Sequence, residues 1–187
     1  PSTDEEVLQE LRREIDETAG KLKKEFARVR TGRASSSLLD GIMVEYYGAR
    51  THLNSLATVN VPEPRLIVIT PYDKGAMGEI ERAIKGSDLG LNPMNDGKII
   101  RIPIPELTEE RRRDLVKHVK KIAEEYRVSM RNHRRDANEM IKELQKEKQV
   151  TEDDARHAQE KVQSLTNEGI ERIDQTLKSK EEEIMVV

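Results

Sequence analysis

The sequence lacks cysteine and tryptophan and has only one phenylalanine among its 187 residues. The absence of cysteine excludes a disulfide framework, a thiol nucleophile and a cysteine-based zinc site, and it suits a reducing compartment. Charged residues make up 37% of the chain and hydrophobic residues 35%. This balance argues against one thick globular core and favours helices that each bury a narrow apolar stripe.

Long hydrophobic runs are also missing. No apolar stretch approaches the ~20 residues that a transmembrane helix needs, and no secretory signal is visible, so we expect a cytoplasmic protein without membrane contact. The formal net charge is −3. Because the chain is nearly neutral, it is not a uniformly basic coat for nucleic acid, and any surface that binds nucleic acid must be local.

The segment Thr108–Gln149 contains neither glycine nor proline and predicts one long helix. Thr108 can cap its start. Apolar or semi-apolar residues recur in it at steps of three and four, which is the period of one buried helix face: Leu115, Val119, Ile122, Tyr126, Met130, His133, Ala137, Ile141 and Leu144. A rod of roughly 60 Å exceeds an ordinary globular helix and predicts a long bundle or a coiled coil.

The polar side of this helix is strongly basic. Between Arg111 and Arg135 there are ten Lys or Arg and three Asp or Glu, which gives 10 − 3 = +7. One line at steps of three and four contains Arg113, Lys117, Lys120, Glu124, Arg127, Arg131, Arg134 and Asn138, with Arg135 and Lys142 beside it. Guanidinium groups in such a row suit phosphate oxygens. The alternative is a solvated face with weak surface pairs such as Asp114–Lys117 or Glu124–Arg127.

Two further helices are predicted. Residues 2–30 begin with a capping box of Thr3 and Glu6, and their apolar stripe ends at Phe26 and Val29. A third helix begins at Thr151 and is acidic, with 5 − 10 = −5. Gly169 in its interior costs roughly 1 kcal/mol against Ala, and a close approach of a neighbouring helix is one reason to have it there.

Residues 31–105 differ in composition, since they hold six of the seven prolines and eight of the ten glycines. Four strands are predicted, at Ile42–Tyr47, Leu56–Val61, Leu66–Thr70 and Ile99–Ile104. Turns are predicted at 48–51 and 95–97, a helix at 75–85 and a loop at 87–93. Gly32 is expected to close the first helix in a left-handed conformation.

These elements predict an α+β fold in two domains. Residues 1–30 and 106–187 form a long antiparallel three-helix bundle, because three amphipathic helices with apolar seams bury them against one another. Residues 31–105 form a small β/α domain inserted between the first and second helices. The two connections form a hinge that comprises Thr31, Gly32, Arg33, Pro103 and Pro105.

No constellation of residues predicts catalysis. The four histidines lie far apart, and His118 with Asp114 or His157 with Asp153 supplies fewer ligands than a zinc site needs. His133 lies near the apolar stripe and is better explained by packing. Phosphate-loop and nucleophile-elbow patterns are absent. We therefore expect a protein that is not an enzyme and has no metal and no cofactor.

Six ordered motifs together resemble the bacterial ribosome recycling factors. They are Arg30–Ser35 (RTGRAS), Ser37–Asp40 (SLLD), Val44–Gly48 (VEYYG), Ser87–Pro93 (SDLGLNP), Leu107–Arg112 (LTEERR) and Arg131–Asn138 (RNHRRDAN). The resemblance extends from about residue 20 to 187. It implies an L-shaped two-domain fold and a monomer that splits the post-termination 70S ribosome into subunits, together with elongation factor G and its GTP hydrolysis, releasing mRNA and tRNA.

The resemblance also implies which residues bind RNA. The bundle is expected to contact 23S ribosomal RNA of the 50S subunit through Arg131, Arg134 and Arg135, with Arg30 and Arg33 beside the hinge. Lys24, Arg28, Asn138 and Lys142 join this set from the surface argument. One departure is Ser36, where the family usually has proline, which bears on hinge rigidity. The alternative function is a helical protein-interaction module without RNA binding, which would use the acidic third helix.

Overall fold

The computed structural model describes residues 2–186 and has the α+β fold expected from the sequence. The chain divides into two compact units. One unit contains the chain up to Phe26 and from Arg112 onward, and the other is Ala27–Arg111. Within the described residues, the first unit is built from three long helices: α1 (Asp4–Ala27), α4 (Glu109–Lys146) and α5 (Glu152–Met185).

Threonine caps begin all three long helices. The hydroxyl oxygen of Thr108 accepts a hydrogen bond from the Arg111 N–H at 3.1 Å, and that of Thr151 accepts one from the Asp154 N–H at 3.0 Å. Thr3 caps α1 in the same way. The expected capping box is displaced, because the Glu6 carboxylate accepts from the N–H of residue 2, one position before the cap. Acidic residues in each first turn add to the stability of these helix starts.

The apolar stripes meet in the core of the helical unit, which confirms the predicted helix faces. Leu8, Leu22 and Phe26 of α1 are buried, as are Val119 and Met130 of α4. Two predicted members of the α4 stripe, Tyr126 and His133, are half-buried instead. Leu165 and Leu177 of α5 are half-buried as well.

Polar contacts hold both neighbouring helices against α1. The Tyr126 hydroxyl of α4 donates to the Glu25 carboxylate at 2.7 Å, and Arg172 of α5 donates to Asp16 at 2.6 Å. His133 contacts α1 through both ring nitrogens: Nδ1 lies 2.9 Å from a Glu14 carboxylate oxygen and Nε2 lies 2.9 Å from the Thr18 hydroxyl. The packing role expected for His133 is therefore joined by a polar one.

The long helix ends three residues earlier than predicted. Lys148 adopts a left-handed conformation with φ 60°. Its N–H donates to the carbonyl of Gln145 at 3.0 Å, and the N–H of Gln149 donates to that of Leu144 at 2.9 Å. These two bonds form a Schellman motif that satisfies the last carbonyls of α4. Because the left-handed residue is a lysine and not a glycine, the sequence carried no stop signal.

The first helix is also shorter than predicted. It ends at Ala27, beside the boundary between the two units, and not at residue 30. Gly32 does have a left-handed φ of 76°, but it lies five positions beyond the end of α1 and does not cap it. The expectation that Gly32 closes the helix was wrong.

The second unit contains two antiparallel sheets and two short helices. Strands β1 (Met43–Tyr46) and β2 (Ala49–His52) form a hairpin. The other elements are α2 (Leu53–Leu56), β3 (Ala57–Glu63), β4 (Leu66–Pro71), α3 (Met77–Lys85), β5 (Met94–Asn95) and β6 (Ile100–Pro103). The second sheet has the strand order β3-β4-β6-β5.

Two strands were not predicted. The turn expected at 48–51 lies at Tyr47 and Gly48, which have φ 47° and 81°, and Ala49–His52 continues as β2. A two-residue turn with both φ values positive matches the twist of a hairpin. Strand β5 has two residues at the sheet edge. Both strands escaped prediction because they bury too little to show apolar alternation.

The core of the second unit lies between its sheets and α3. Ile67 and Ile69 of β4, Ile100 and Ile102 of β6 and Ile80 of α3 are fully buried. Alternation along β4 and β6 puts these isoleucines on one sheet face. None of the helices within residues 2–186 has the length and apolar character to cross a membrane.

Candidate functional site

The candidate site is the basic row, which we define as Arg113, Lys117, Lys120, Arg127, Arg131 and Arg134 of α4, with Arg135, Asn138 and Lys142 beside it. Helix α4 is unbroken from Glu109 to Lys146, so steps of three and four place these residues along one flank. The buried stripe lies beside that flank. The structure therefore brings five of the predicted RNA-binding residues together on one helix: Arg131, Arg134, Arg135, Asn138 and Lys142.

Arg127 of the row is held by a contact with the neighbouring helix α5. Its Nε and Nη2 both lie 2.8 Å from Oδ1 of Asp174 on α5. Its side chain is 22% exposed. A guanidinium with two contacts to one carboxylate on a neighbouring helix is fixed in direction, and here it joins α4 to α5.

Glu124 lies between two arginines of the row. One of its carboxylate oxygens lies 3.1 Å from Nη1 of Arg127, and the other lies 3.2 Å from Nη2 of Arg131. Hydrogen bonds from Arg127 and then Arg131 hold the pKa of the Glu124 carboxyl below its ordinary value. The carboxylate is therefore charged at neutral pH. The surface pair Glu124–Arg127 was anticipated, whereas the contact with Arg131 was not.

Arg134 and Arg135 differ from Arg127 and Arg131. Neither has a hydrogen bond or an ion pair to any residue between 2 and 186, and the same holds for Lys142. Arg135 and Lys142 are exposed and Arg134 is half-buried. The C-terminal third of α4 therefore carries positive charge that has no protein partner in the described part of the chain.

Asn138 and Arg112 each carry a buried polar atom that lacks a partner in the described part of the chain. These atoms are the side-chain carbonyl oxygen of Asn138 and Nε of Arg112. The buried oxygen of Asn138 is out of reach of a ligand, so only its amide nitrogen remains for the predicted RNA contact.

The other predicted RNA-binding residues lie elsewhere. Lys24 is exposed on α1, next to Glu25 at the α1–α4 seam, whereas the basic row borders α5. Arg28, Arg30 and Arg33 belong to the second unit. Arg30 is half-buried there and donates a hydrogen bond to the carbonyl of Leu89, so it supports the loop after α3.

The predicted hinge residues also lie in the second unit. Thr31 is buried. Gly32 approaches Leu107 closely, since a Cβ added to Gly32 would lie 3.1 Å from Cγ and 3.3 Å from the backbone nitrogen of Leu107. The segment that enters this unit and the segment that leaves it therefore contact one another. Pro103 ends strand β6, and Pro105 follows it, exposed.

Within residues 2–186, no group of three or more His, Asp or Glu side chains is arranged so that it could hold a metal ion. His157 lies 3.8 Å from Glu160, and Asp153 pairs with Arg156 at 3.3 Å. A shallow groove between the first turns of α1 and α5 is lined by carboxylates such as Asp4, Glu5 and Asp154. That end of the helical unit is therefore unsuited to RNA phosphates.

From the sequence, Asp174 was not identified as the partner of Arg127, and the contact between Glu124 and Arg131 was not identified either. The spacing of seven residues between Glu124 and Arg131 was a usable signal, because two helical turns keep both residues on one flank. No signal could have identified Asp174, which is 47 residues from Arg127 in the chain.

Comparison with known proteins gives a consistent result. The family model for ribosome recycling factor matches residues 22–185. The ribosome-recycling factor of Halalkalibacterium halodurans is 56% identical over 182 residues, which cover 97% of this chain and 98% of that protein. The Bacillus subtilis factor is 54% identical with the same coverage.

Two solved structures are also similar. A solution structure of a ribosome recycling factor is 43% identical, with a TM-score of 0.83 and 98% of each chain covered. The second is described as models for the T. thermophilus ribosome recycling factor and the E. coli elongation factor G bound to the E. coli post-termination complex. Its matching chain is 45% identical, with a TM-score of 0.68, and the match covers 98% of this chain and 100% of that one.

Proposed function

The chain belongs to the ribosome recycling factor family, and we propose that it recycles bacterial ribosomes after translation termination. In this function it binds the post-termination ribosome in the cytoplasm and splits it into subunits with elongation factor G, which hydrolyses GTP. The messenger RNA and transfer RNA are released. The chain itself makes and breaks no covalent bond. Support for the partnership comes from the similar structure that pairs a recycling factor with elongation factor G on a post-termination complex.

The observation that carries the proposed binding mode is the unpartnered charge on α4. Arg134 and Arg135 have no ion pair within residues 2–186, so a phosphate can take their donors without breaking a protein contact. We propose that the basic row contacts 23S ribosomal RNA on the 50S subunit, with Arg131, Arg134 and Arg135 in direct contact. Lys142 and the amide nitrogen of Asn138 extend this surface.

A second part of the proposal concerns the two segments by which the chain enters and leaves the second unit. We propose that the segments around Thr31–Arg33 and Pro103–Pro105 form a hinge about which the small unit moves under the action of elongation factor G. Gly32 supports this proposal. It has a left-handed backbone conformation and lies against Leu107 where the two segments meet, a position into which residues with a Cβ atom fit poorly.

The experiment is co-sedimentation with 70S ribosomes and 50S subunits across a salt series. Wild type is compared with Arg134→Ala and with Arg156→Ala, an equal charge change at an exposed arginine of α5. We expect Arg134→Ala to bind roughly tenfold more weakly, because it loses charge-assisted hydrogen bonds, while Arg156→Ala binds like wild type. Equal binding by all three proteins would count against the basic row as the RNA surface.

Splitting is tested next with elongation factor G and GTP, by light scattering of 70S ribosomes. Wild type should dissociate them, and Arg134→Ala should need a higher concentration to do so. Complete absence of salt-sensitive binding to either particle would instead favour the protein-interaction module.

A further inference from the structure

One carboxylate, Glu124, lies on the same flank of α4 as the basic row and contacts two of its arginines. We propose that Glu124 positions Arg131 and lowers the affinity of the row for RNA of the wrong shape. This inference rests on the proposed function. It adds a selectivity role that neither family membership nor the row itself specifies. Four side chains in contact cross from α5 to the outer flank of α4.

The chain of contacts begins at Asp174 of α5. Asp174 fixes Arg127 through two contacts of 2.8 Å, and Arg127 reaches Glu124 at 3.1 Å. Glu124 then reaches Arg131 with its other carboxylate oxygen, at 3.2 and 3.4 Å from the two terminal nitrogens. The orientation of Arg131 is therefore set by a group that the neighbouring helix holds through Arg127.

The same contacts neutralise part of the row. Asp174 and Glu124 contribute two negative charges, and Arg127 and Arg131 contribute two positive charges, so the sum over the four is zero. Nonspecific affinity for RNA comes from counterions that phosphates release when cations replace them. Arginines already paired with carboxylates contribute little to that release. Attraction at long range thus comes from residues outside this cluster, such as Arg134 and Arg135.

Arg131 can contact RNA while it is paired with Glu124, because its side chain is 40% exposed. A guanidinium held in one direction offers a fixed plane on which a base can stack, and its free N–H groups point one way. RNA that presents a base or phosphate at that place gains a contact at small entropic cost. RNA of any other shape gains nothing and meets the Glu124 carboxylate, which repels its phosphates.

The test compares Glu124→Gln with Glu125→Gln, two variants of identical composition and net charge. Glu125 is exposed and lies one position along the helix, turned by roughly 100°. Binding is measured to 50S subunits and to poly(U), a single-stranded RNA without fixed shape, at several salt concentrations. The stability of the three-helix unit in each variant is checked by its unfolding midpoint in urea.

We expect Glu124→Gln to bind poly(U) roughly fivefold more tightly and with a steeper salt dependence, by about 0.7 in the slope of log K against log salt, because one more cation becomes free. Binding to 50S subunits should tighten less than binding to poly(U), so the ratio of the 50S affinity to the poly(U) affinity falls. Glu125→Gln should keep the wild-type ratio and slope. The double variant Glu124→Gln with Arg131→Gln should return the poly(U) affinity to the wild-type value.

Identical behaviour of Glu124→Gln and Glu125→Gln would overturn the inference and leave Glu124 as an ordinary surface carboxylate. The Arg134→Ala comparison reports separately on the proposed function. If Arg134→Ala loses 50S binding while Glu124→Gln and Glu125→Gln bind RNA alike, only the selectivity role of Glu124 is refuted. Unchanged 50S binding in Arg134→Ala removes the RNA surface itself.

Discussion

Gly169 of α5 lies so close to α4 that a Cβ atom added to it would be 3.0 Å from the sulfur of Met130. The same Cβ would be 3.0 Å from Cγ2 of Ile15 on α1. All three long helices of the described chain therefore approach one another at this residue. The close approach expected from an interior glycine is confirmed, and it explains why a residue that weakens an isolated helix stands there.

The first prediction concerns Gly169→Ala, compared with Gly20→Ala on α1. Alanine is favoured over glycine in a helix by ~1 kcal/mol. At Gly20 nothing lies within 4 Å of the added Cβ, so we expect a gain of about 0.5–1 kcal/mol in the free energy of unfolding. At Gly169 the buried Met130 and the β-branched Ile15 must shift, and overpacking outweighs propensity for a net loss of about 1 kcal/mol.

Urea denaturation with an unchanged m-value measures both effects. A gain in Gly169→Ala equal to that in Gly20→Ala would show that the neighbouring helices yield freely. In that case the close approach of Met130 and Ile15 to Gly169 would not affect the free energy of unfolding.

Ser36→Pro is expected to be tolerated. Ser36 is the first residue of a short 3-10 helix, Ser36–Leu39, and its N–H donates to no group within residues 2–186. Ser35 before it has φ −148° and ψ 138°, the extended conformation that a following proline demands. We expect the free energy of unfolding to stay level or to rise by about 0.4–1 kcal/mol, since proline restricts the unfolded chain.

Ser37→Pro is the matched control for that substitution. The Ser37 N–H donates to the Ser35 hydroxyl at 3.3 Å, and proline would remove this donor. It would also force Ser36 out of its helical conformation, so a loss of at least ~1 kcal/mol is expected. If both serines tolerate proline equally in thermal unfolding, the capping geometry does not matter for stability.

Gly32→Ala should destabilise the second unit through backbone strain and through crowding against Leu107. Gly41→Ala serves as the control that has the backbone strain alone. Both glycines have a left-handed φ, of 76° and 84°. Only Gly32 adds a close contact, with Leu107, whereas a Cβ at Gly41 meets nothing within 4 Å. We expect a loss of ~1 kcal/mol in Gly41→Ala from backbone strain and a larger loss in Gly32→Ala. Hydrogen exchange of strands β4 and β6 would locate the loss in this unit, and equal losses would argue against the Leu107 contact.

Tyr126 makes the stability of the helical unit fall at high pH. Burial, followed by the hydrogen bond to Glu25, raises the pKa of Tyr126 from 10.0 to about 12. The folded state keeps the phenolic proton where the unfolded chain has released it. The group therefore favours folding below pH 10 and loses that advantage as the pH rises to about 12.

Tyr126→Phe tests this pH dependence. The variant should lose less stability than wild type between pH 10 and about 12, measured as the urea midpoint at each pH. Glu25→Gln keeps the burial of the phenol but removes the charged acceptor, so it should lie between the two. Parallel pH curves for wild type and Tyr126→Phe would exclude a contribution from this phenol.

The helical unit was predictable because its information is local. The spacing of Leu115, Val119 and Ile122 along one face and the threonine before each helix identified the helices, their starts and their buried sides. Helix ends were less predictable. Lys148 takes a left-handed conformation that lysine does not signal, and strands β2 and β5 bury too little for alternation to show.

For the candidate site, the sequence alone determined the row of cations on one flank of α4, because 3.6 residues per turn bring residues three and four apart onto one face. Only the tertiary structure decided which of those cations are free. Arg127 is bound by Asp174, a residue on another helix, and Arg131 is linked to it through Glu124. Lys117, Lys120, Arg134 and Arg135 have no partner in the described part of the chain. The physical reason is that a charge pair between helices depends on how the helices pack, which local spacing does not encode.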